Sequence, residues 1–257
     1  MTDKPFEHKI AIVTGAATGI GQATAERLAA KGARVVINDV DPAGAEVAQR
    51  IGGLFIQADL SRRDDCRTIV ERTVAEFGSV HILVNNAGIQ HVAPIDEFPE
   101  DAWDKLLAVM LTAPFLLARY AWPHMKAQRW GRVINIASIN ALRAEPNKSA
   151  YNAAKTGVLG LTRSLALEGG PLGITTHAVC PGLVHTNLID KQIPDIARTQ
   201  GISENEVMGY FLGNAPLKRA IRPAEIAALV SFLCSDEAAM MTGAPVLIDQ
   251  GLSAVMP

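Results

Sequence analysis

The sequence contains few of the residues that build disulfide frameworks, metal cages or nucleic-acid surfaces. Its three cysteines, Cys66, Cys180 and Cys234, lie far apart without paired spacing, which favours three thiols in a reducing compartment. Its six histidines form no HExxH or HxH pattern, so we expect no metal site. The net charge is −2 and no long basic run occurs, so we expect neither a nucleic acid nor an anionic membrane as a partner.

Long apolar runs are also missing. No stretch of 18 or more apolar residues occurs, and the first ten residues, MTDKPFEHKI, lack the apolar centre of a signal peptide. From these two absences we expect a cytoplasmic protein. The 257 residues are nevertheless 49% hydrophobic and 19% charged, which is enough to bury the core of a large α/β domain.

Short apolar runs alternate with longer amphipathic segments along the chain. The runs that predict strands are KIAIVT, RVVIND, LFIQAD, HILVNN, RVINIAS, ITTHAVC and PVLIDQ. They are continuously apolar, which is typical of strands covered on both faces. Strands that alternate with helices predict right-handed βαβ units, and hence an α/β fold with a Rossmann-type, doubly wound parallel sheet.

Some helix boundaries can be predicted as well. The run GIGQATAERLAAKG indicates a first helix that is closed by Gly32. Ser61 stands three residues before Asp64, a spacing typical of a helix N-cap, and this helix should run to Gly78.

Nothing in the composition divides the chain. No linker rich in proline, glycine or serine interrupts it, so we interpret residues 1–257 as one domain. Residues 184–218 are too many for an ordinary connection between two elements. We therefore predict a small helical lid inserted after the sixth strand.

The first predicted strand ends in the glycine-rich run TGAATGIG. Gly15, Gly19 and Gly21 permit a tight turn and a close backbone approach, and the next helix would direct its positive N-terminal end at a pyrophosphate. A strand-to-helix turn can require glycine for its own geometry, so the glycines alone are weak support for a ligand. Their place after the first strand of a doubly wound sheet favours a dinucleotide site.

Two acids follow the second and third strands. Asp39 stands 18 residues past Gly21, where a carboxylate can accept both ribose hydroxyls of NAD and would repel the 2′-phosphate of NADP. The alternative is that Asp39 caps the next helix, a role that Asp41 could also fill. Asp59 could bond the adenine amine, or it could simply be an acid at the start of a helix.

A tyrosine and a lysine stand four residues apart in a predicted helix, at Tyr151 and Lys155. Such a pair is usually an ordinary surface feature, but Ser138 and the NNAG run at 85–88 also follow strands and should lie at the same edge of the sheet. To lower the tyrosine pKa from about 10 to near neutrality requires about 4 kcal/mol. The Lys155 ammonium, together with a positively charged nicotinamide, has the right sign to do this, while Ser138 could orient a reacting oxygen.

Together, TGAATGIG, NNAG, Ser138 and YNAAK resemble the short-chain dehydrogenase/reductase family, and the resemblance extends to CPG at 180–182 and to PVLIDQG. It implies a seven-stranded sheet, a nicotinamide cofactor (NAD, given Asp39), an alcohol or ketone substrate and a homotetramer. The cofactor positions it implies are Gly15, Thr18, Gly19, Ile20, Gly21, Asp39, Asp59, Leu60, Asn86, Ala87, Gly88, Tyr151, Lys155, Pro181, Gly182 and Thr186.

Within that family, GIQHVAPIDEFP, NKSAY and NLIDKQI look like the bacterial D-3-hydroxybutyrate dehydrogenases. The resemblance implies that Gln90, Lys148 and Gln192 hold a substrate carboxylate, with Ser138 and Asn140 also facing the substrate. Without the family, Gln90, Lys148 and Gln192 would be interpreted as ordinary polar residues of loops and the lid.

Three positions depart from the pattern. Met110 replaces the family asparagine that helps to hold a proton-relay water. Asn140 replaces a histidine, and Leu252 replaces a tryptophan, of the hydroxybutyrate enzymes. The first departure concerns the proton relay, and the other two concern the identity of the substrate.

Three functions therefore stay open. The first is an NAD-dependent dehydrogenase of a small 3-hydroxy acid such as 3-hydroxybutyrate. The second is a dehydrogenase of a sugar, polyol or other neutral alcohol, in which Lys148 is idle. The third is a weakly catalytic nucleotide-binding or scaffolding paralogue, suggested by Met110, although the intact Ser138, Tyr151 and Lys155 argue against it.

Overall fold

The computed structural model describes residues 4–190, 193–213 and 215–254. The strands are β1 (Ile10–Thr14), β2 (Arg34–Asp39), β3 (Leu54–Gln57), β4 (Ile82–Asn85), β5 (Gly131–Ile136), β6 (Ile174–Pro181) and β7 (Pro245–Ile248). These seven parallel strands form one sheet in the order β3-β2-β1-β4-β5-β6-β7, which confirms the predicted fold class. The order reverses at β1, which pairs with both β2 and β4, and ligands bind doubly wound sheets at such a reversal.

Helices connect the strands and cover both faces of the sheet. A five-residue π-helical turn, Ala108–Thr112, joins the fourth helix to the fifth. The helices are α1 (Gly19–Ala30), α2 (Gly44–Ile51), α3 (Arg63–Phe77), α4 (Glu100–Leu107), α5 (Ala113–Ala127), α6 (Ser149–Gly169), α7 (Asn187–Asp190), α8 (Ile193–Gln200), α9 (Glu204–Leu212) and α10 (Pro223–Cys234).

Two hydrophobic layers explain why the strands are continuously apolar. On one face, Val13 of β1 packs in a cluster with Leu28 of α1 and Val230 of α10. On the other face, Ile12, the preceding residue of β1, packs in a cluster that includes Leu117 of α5. Because successive side chains of a strand point to opposite faces, both must be apolar, and each buried one contributes roughly 1.5–3 kcal/mol to stability.

The predicted helix ends are partly right. Gly32 closes the first helix, with a φ of 100° that favours glycine. Ser61 is not an N-cap, because α3 begins at Arg63 and its capping position is Arg62. Instead, the Ser61 N–H donates to Asp59 Oδ1 at 2.9 Å, and the Asp59 N–H donates to Asp65 Oδ2 at 2.8 Å. Two carboxylates thus satisfy the backbone N–H groups of this turn.

Residues 184–218 contain α7, α8 and α9, in agreement with the predicted helical insertion after the sixth strand. Ile196, Ala197 and Val207 form a small hydrophobic cluster within it. Its two ends lie side by side, because Val184 pairs with Ile221 in a parallel bridge. The insertion is therefore attached to the sheet through a narrow base.

The helical run Glu100–Ala127, through α4, the π turn and α5, is long and apolar enough to cross a membrane by length and composition, with a mean hydropathy of 1.4 over its 18-residue window. Half of that window is buried inside the protein. Leu106, Leu116 and Leu117 are at most 2% exposed and belong to the core between the sheet and α3. This burial explains its apolar composition without a membrane.

Candidate active site

A cleft of about 850 Å³ opens at the carboxyl ends of the strands, next to the reversal at β1. Nearly all of the positions implied for the cofactor line this cleft, although they lie at or beyond the ends of six different strands. Those that line it are Gly15, Thr18, Gly19, Ile20, Asp39, Asp59, Leu60, Asn86, Ala87, Gly88, Tyr151, Lys155, Pro181, Gly182 and Thr186.

The glycine-rich turn is packed against the turn after β4. Gly15 and Gly19 both have a φ of 61°, and a Cβ atom on Gly15 would lie 2.7 Å from Ala87 Cα, so neither position suits a side chain. The Asn86 side-chain amide donates to the carbonyls of Thr14 and Gly15, both at 2.9 Å. Gly21 does not line the cleft, but a Cβ there would overlap the Gly15 carbonyl, so its role is close packing.

The N-terminus of α1 faces this cleft. Thr18, its capping residue, makes no side-chain hydrogen bond to the first turn of the helix. The free N–H groups of that turn and the helix dipole favour an anionic group. Together with the glycine turn, they fit the pyrophosphate of a dinucleotide.

Asp39 is held by two backbone N–H groups. Its Oδ2 accepts from Ala17 N at 2.9 Å and its Oδ1 accepts from Asp41 N at 3.1 Å. It does not cap α2, which begins at Gly44, whereas Asp41 Oδ1 accepts from Ala43 N just before that helix. Among the described residues no Lys or Arg pairs with Asp39. Its remaining acceptor capacity therefore faces the cleft and fits a vicinal diol.

The position of Asp59 is compatible with both of the roles considered for it, the contact with adenine and the start of a helix. It lines the cleft beside Leu60, and it also supports the turn before α3 by accepting from Ser61 N. That backbone hydrogen bond is the main cause that lowers the pKa of the Asp59 carboxyl. A charged carboxylate is thus fixed at the same end of the cleft as Asp39.

Ser138, Tyr151 and Lys155 come together at the other end of the cleft. Lys155 Nζ donates to the Ile136 carbonyl at 2.7 Å and lies 5.6 Å from the centre of the Tyr151 ring. Ser138 Oγ accepts from Asn140 N at 3.1 Å, which fixes the hydroxyl near the Tyr151 phenol. A serine, a phenol and an ammonium are thereby held around one point on the cleft wall.

Burial dominates the ionisation of this group. It raises the pKa of the Tyr151 phenol, and the hydrogen bond from Ser138 offsets this only in part. It lowers the pKa of the Lys155 ammonium to about 8. The expected fall in the tyrosine pKa is thus not produced by the protein groups alone, and at neutral pH the phenol stays protonated beside a lysine that is mostly charged.

The residues implied for the substrate are less closely grouped. Gln90 lines the cleft, with its Oε1 accepting from His91 N at 3.1 Å. Asn140 is buried beside Ser138 and does not line the cleft. Lys148 does not line it either, because its Nζ contacts Glu145 Oε2 at 2.6 Å. Gln192 lies outside the described residues.

Comparisons with known proteins agree with this geometry. A family model described as enoyl-(acyl carrier protein) reductase matches residues 15–253. The chain is 42% identical to D-beta-hydroxybutyrate dehydrogenases of Rhizobium meliloti, over 96% of this chain and 99% of the relative, and of Cupriavidus necator, over 95% and 97%. The crystal structure of levodione reductase superimposes with a TM-score of 0.91 at 33% identity, over 98% of this chain and all of that one.

The chain belongs to the short-chain dehydrogenase/reductase family. It is therefore an oxidoreductase that acts on CH–OH groups, as the resemblance implied.

Several cleft residues of this dehydrogenase escaped the sequence reasoning. Lys105 and Val109 reach the cleft from α4 and the π turn, and Ile189 and Asp195 reach it from the helical insertion. Tertiary packing brings them there, and no local pattern marks them. His91, which follows Gln90 directly and packs edge-on against Phe98, could have been found from its place after NNAG.

All three departures from the family pattern, Asn140 included, are buried. Met110 is 1% exposed in the π turn, and its Sδ lies 3.7 Å from the place of a Cβ on Gly88, so it packs behind the NNAG turn. Leu252 is 6% exposed and packs in a cluster with Ile139. The π-helical turn therefore forms in this dehydrogenase without the family asparagine.

Proposed function

We propose that this chain is an NAD-dependent dehydrogenase of a small 3-hydroxy acid such as 3-hydroxybutyrate. The observation that carries the proposal is that one cleft joins Asp39 at the end of β2 to Ser138, Tyr151 and Lys155 beyond β5. Three strand spacings of about 4.8 Å separate β2 from β5, so these groups act roughly 14 Å apart, on opposite ends of an extended ligand.

The residues present fit NAD. The turn at Gly15 and Gly19 and the start of α1 would hold its pyrophosphate, and Asp39 would accept from the adenosine ribose. A 2′-phosphate at the same place would meet the Asp39 carboxylate without a cation to balance it, so NADP is disfavoured. When bound, the nicotinamide ring supplies the hydride acceptor or donor.

The chain's own residues would move the proton. The Tyr151 phenol, protonated at neutral pH, would donate to a ketone oxygen and would take the proton back from an alcohol. Ser138 would hold that oxygen with its hydroxyl. Lys155, fixed by the Ile136 carbonyl, would stabilise negative charge on the phenol, and its positive charge fades as the pH rises through about 8.

The hydroxy-acid part of the proposal rests on Lys148 and on the relatives that act on D-beta-hydroxybutyrate. Among the residues implied for the substrate, Lys148 has the only positive charge that could bind a carboxylate. The second candidate is a dehydrogenase of neutral secondary alcohols or polyols. The contact between Lys148 and Glu145 favours it, because a paired lysine attracts an anion less strongly.

We also propose a cytoplasmic homotetramer. Apolar side chains are exposed on two parts of the surface, as a tetramer with two kinds of interface needs. Leu247 on the edge strand β7 and Phe232 on α10 are 42% and 39% exposed. Phe115 on α5 and Leu167 on α6 are 45% and 81% exposed. Light scattering would test this assembly.

A substrate panel tests the proposed activity. Purified protein is offered 3-hydroxy acids, polyols and neutral secondary alcohols with NAD or NADP, and the reduced cofactor is followed by its absorbance. We expect turnover of 3-hydroxy acids with NAD. Turnover of neutral alcohols alone would favour the second candidate, and no turnover of any alcohol would favour a weakly catalytic paralogue.

A further inference from the structure

The ammonium of Lys148 is already paired. Its Nζ lies 2.6 Å from Glu145 Oε2, and the two side chains are 9% and 31% exposed. The same Nζ lies 5.5 Å from the centre of the Phe211 ring, which belongs to α9 of the helical insertion. A lysine this deeply buried requires a partner, and among the described residues Glu145 is its only ion-pair partner.

Glu145 is held in place by the loop that carries it. Its carbonyl accepts from the Asn152 side-chain amide at 2.8 Å, on the first turn of α6. Two residues later, Asn147 takes a left-handed conformation with a φ of 64°, and its carbonyl accepts from Ala93 N at 3.0 Å. The loop is thus fastened both to α6 and to the segment after NNAG, so the backbone at Glu145 is held within reach of Lys148.

The negative charge of Glu145 also reaches the chemical centre. Burial is the main cause that raises the pKa of the Tyr151 phenol, and the charge of Glu145 adds to it. A substrate carboxylate placed beside Lys148 would meet Glu145 at short range as well, because the two side chains are only 2.6 Å apart.

We propose that Glu145 is a specificity-determining residue that occupies Lys148 in the place of a substrate carboxylate. The inference rests on the proposed function and refines it, because a hydroxy acid must displace Glu145 from Lys148 before its own carboxylate can bind there. A neutral substrate needs no such exchange. Glu145 thereby lowers the preference of the site for acids over neutral alcohols of the same shape.

The exchange follows from charge balance. Lys148 and Glu145 together carry no net charge, so they attract an approaching anion weakly. An anion that replaces Glu145 leaves that carboxylate unpaired in a half-buried position, next to a second negative charge. Both effects weaken the binding of anions and leave the binding of neutral substrates unchanged.

The test compares Glu145→Gln with the wild type on two substrates of nearly equal shape, 3-hydroxybutyrate and the neutral 3-hydroxybutyramide. Glutamine keeps the size of the side chain and removes its charge. We expect the ratio of kcat/KM for the acid to that for the amide to rise at least ~10-fold, mainly through a lower KM for the acid, which corresponds to about 1.4 kcal/mol of binding.

Two controls isolate the pair. In a Lys148→Gln background the same Glu145→Gln change should raise the ratio much less, because it then relieves only the direct repulsion between Glu145 and an anion. Asp195→Asn removes another acid of the cleft, one that is paired with Arg198, and should raise the ratio far less. An equal rise in Asp195→Asn, or an equally large rise in the Lys148→Gln background, would overturn the inference.

A second measurement does not use activity. In Glu145→Gln the Lys148 ammonium has lost its charged partner, so added butyrate should raise the melting temperature of this variant more than butyramide does. The difference between the two additives should vanish when Lys148 is also replaced by Gln. Equal effects of butyrate and butyramide on Glu145→Gln would count against the inference.

The two proposals can fail separately. If the wild type oxidises only neutral alcohols, the hydroxy-acid function fails, yet acid turnover gained by Glu145→Gln would uphold the role of Glu145. If the wild type oxidises hydroxy acids and Glu145→Gln leaves the acid-to-amide ratio unchanged, the function stands and the inference is wrong. An unchanged ratio overturns it whichever substrate the wild type prefers.

Discussion

The two halves of the cleft are built differently. In the half next to β1 and β2, backbone groups fix the important atoms: Asp39 is held by two N–H groups, and Asn86 is bonded to two carbonyls. In the half next to α6 and the helical insertion, backbone groups hold Lys155 and Ser138, but Lys148 is held by the side chain of Glu145. The fold therefore fixes the binding groups of the first half, whereas single substitutions can change the substrate preference of the second half.

The largest expected effect lies in the half next to α6. Tyr151→Phe removes one hydroxyl and keeps the ring, so we expect cofactor binding to persist while kcat falls roughly 100- to 10,000-fold, the range for a general acid–base group. Steady-state kinetics and calorimetric titration with NAD measure the two properties. Tyr120→Phe, which removes a hydroxyl on α5 away from the cleft, is the matched control. Turnover close to wild type in Tyr151→Phe would place the proton chemistry elsewhere.

Asp39→Ser should weaken the cofactor preference that is set in the half of the cleft next to β1 and β2. The change removes the acceptor for the ribose hydroxyls and the charge that repels a 2′-phosphate, so the preference for NAD over NADP should fall about 100-fold. The ratio of kcat/KM with the two cofactors measures it. Asp41→Ser, at an acid whose carboxylate is used by the Ala43 N–H, should change this ratio much less. Equal efficiency with both cofactors in the wild type would contradict the assignment.

Lys148→Ala should act on the other half alone. It removes the only cation among the predicted substrate contacts and leaves Glu145 to repel an anion, so KM for a hydroxy acid should rise roughly 10- to 100-fold. A neutral alcohol of similar size should be affected far less. If acid and neutral substrates weaken alike, the hydroxy-acid function is wrong and the neutral-alcohol function replaces it.

The stability of the sheet beneath both halves of the cleft should depend on pH. Burial lowers the pKa of His177 on β6 to about 4, whereas the unfolded chain takes up this proton near pH 6.5. Between these values the unfolded state binds more protons, so the free energy of unfolding should fall with decreasing pH, by up to about 1.4 kcal/mol per unit from this residue. Denaturant titrations between pH 7 and pH 4.5 measure the slope.

The quantity to compare between the wild type and His177→Gln is the slope of the free energy of unfolding against pH, and not the absolute stability. His177→Gln should reduce the dependence on pH even if it lowers stability throughout. His81, whose pKa burial also lowers to about 4, should leave a residual slope in that variant. A slope that His177→Gln does not change would mean that other groups govern acid unfolding.

The smallest effect is expected at Met110. Met110→Asn restores the side chain that the family uses for its relay water, and we expect kcat to rise a few-fold or its pH profile to shift. Because Met110 is 1% exposed, the variant should also lose stability, and Met110→Leu separates that loss of packing from any effect of the amide. If Met110→Asn and Met110→Leu have the same pH profile, the relay does not depend on this side chain.

The difference between the two halves of the cleft also explains which features could be predicted from the sequence. The strands, the glycine turn and Asp39 depend on local backbone geometry and on the spacing of apolar residues, both of which can be inferred from the amino-acid sequence. The Ser61 capping pattern misled because Asp59 and Asp65 had already satisfied that turn. The direction of the Tyr151 pKa could not be predicted, since it follows from burial by distant elements.

The pair of Glu145 and Lys148 was missed although the two residues are close in sequence. Rules for pairs three apart apply within a helix, and Lys148 is only the residue that precedes α6. The cleft positions of Lys105 and Val109 were missed because they depend on how α4 and the π turn pack against α6. Substrate recognition was thus the least predictable part, since it depends on such contacts.

The narrow base of the helical insertion has a consequence for protein engineering. Besides the bridge from Val184 to Ile221, His185 N donates to the Ile221 carbonyl at 3.2 Å, and Ile221 N donates to the Leu183 carbonyl at 2.9 Å. The ends of the insertion are therefore fastened independently of what lies between them, and doubling the length of a flexible connection costs only about 0.6 kcal/mol. We therefore expect that the helices between these two ends can be exchanged between relatives with little change to the sheet or to the dinucleotide turn.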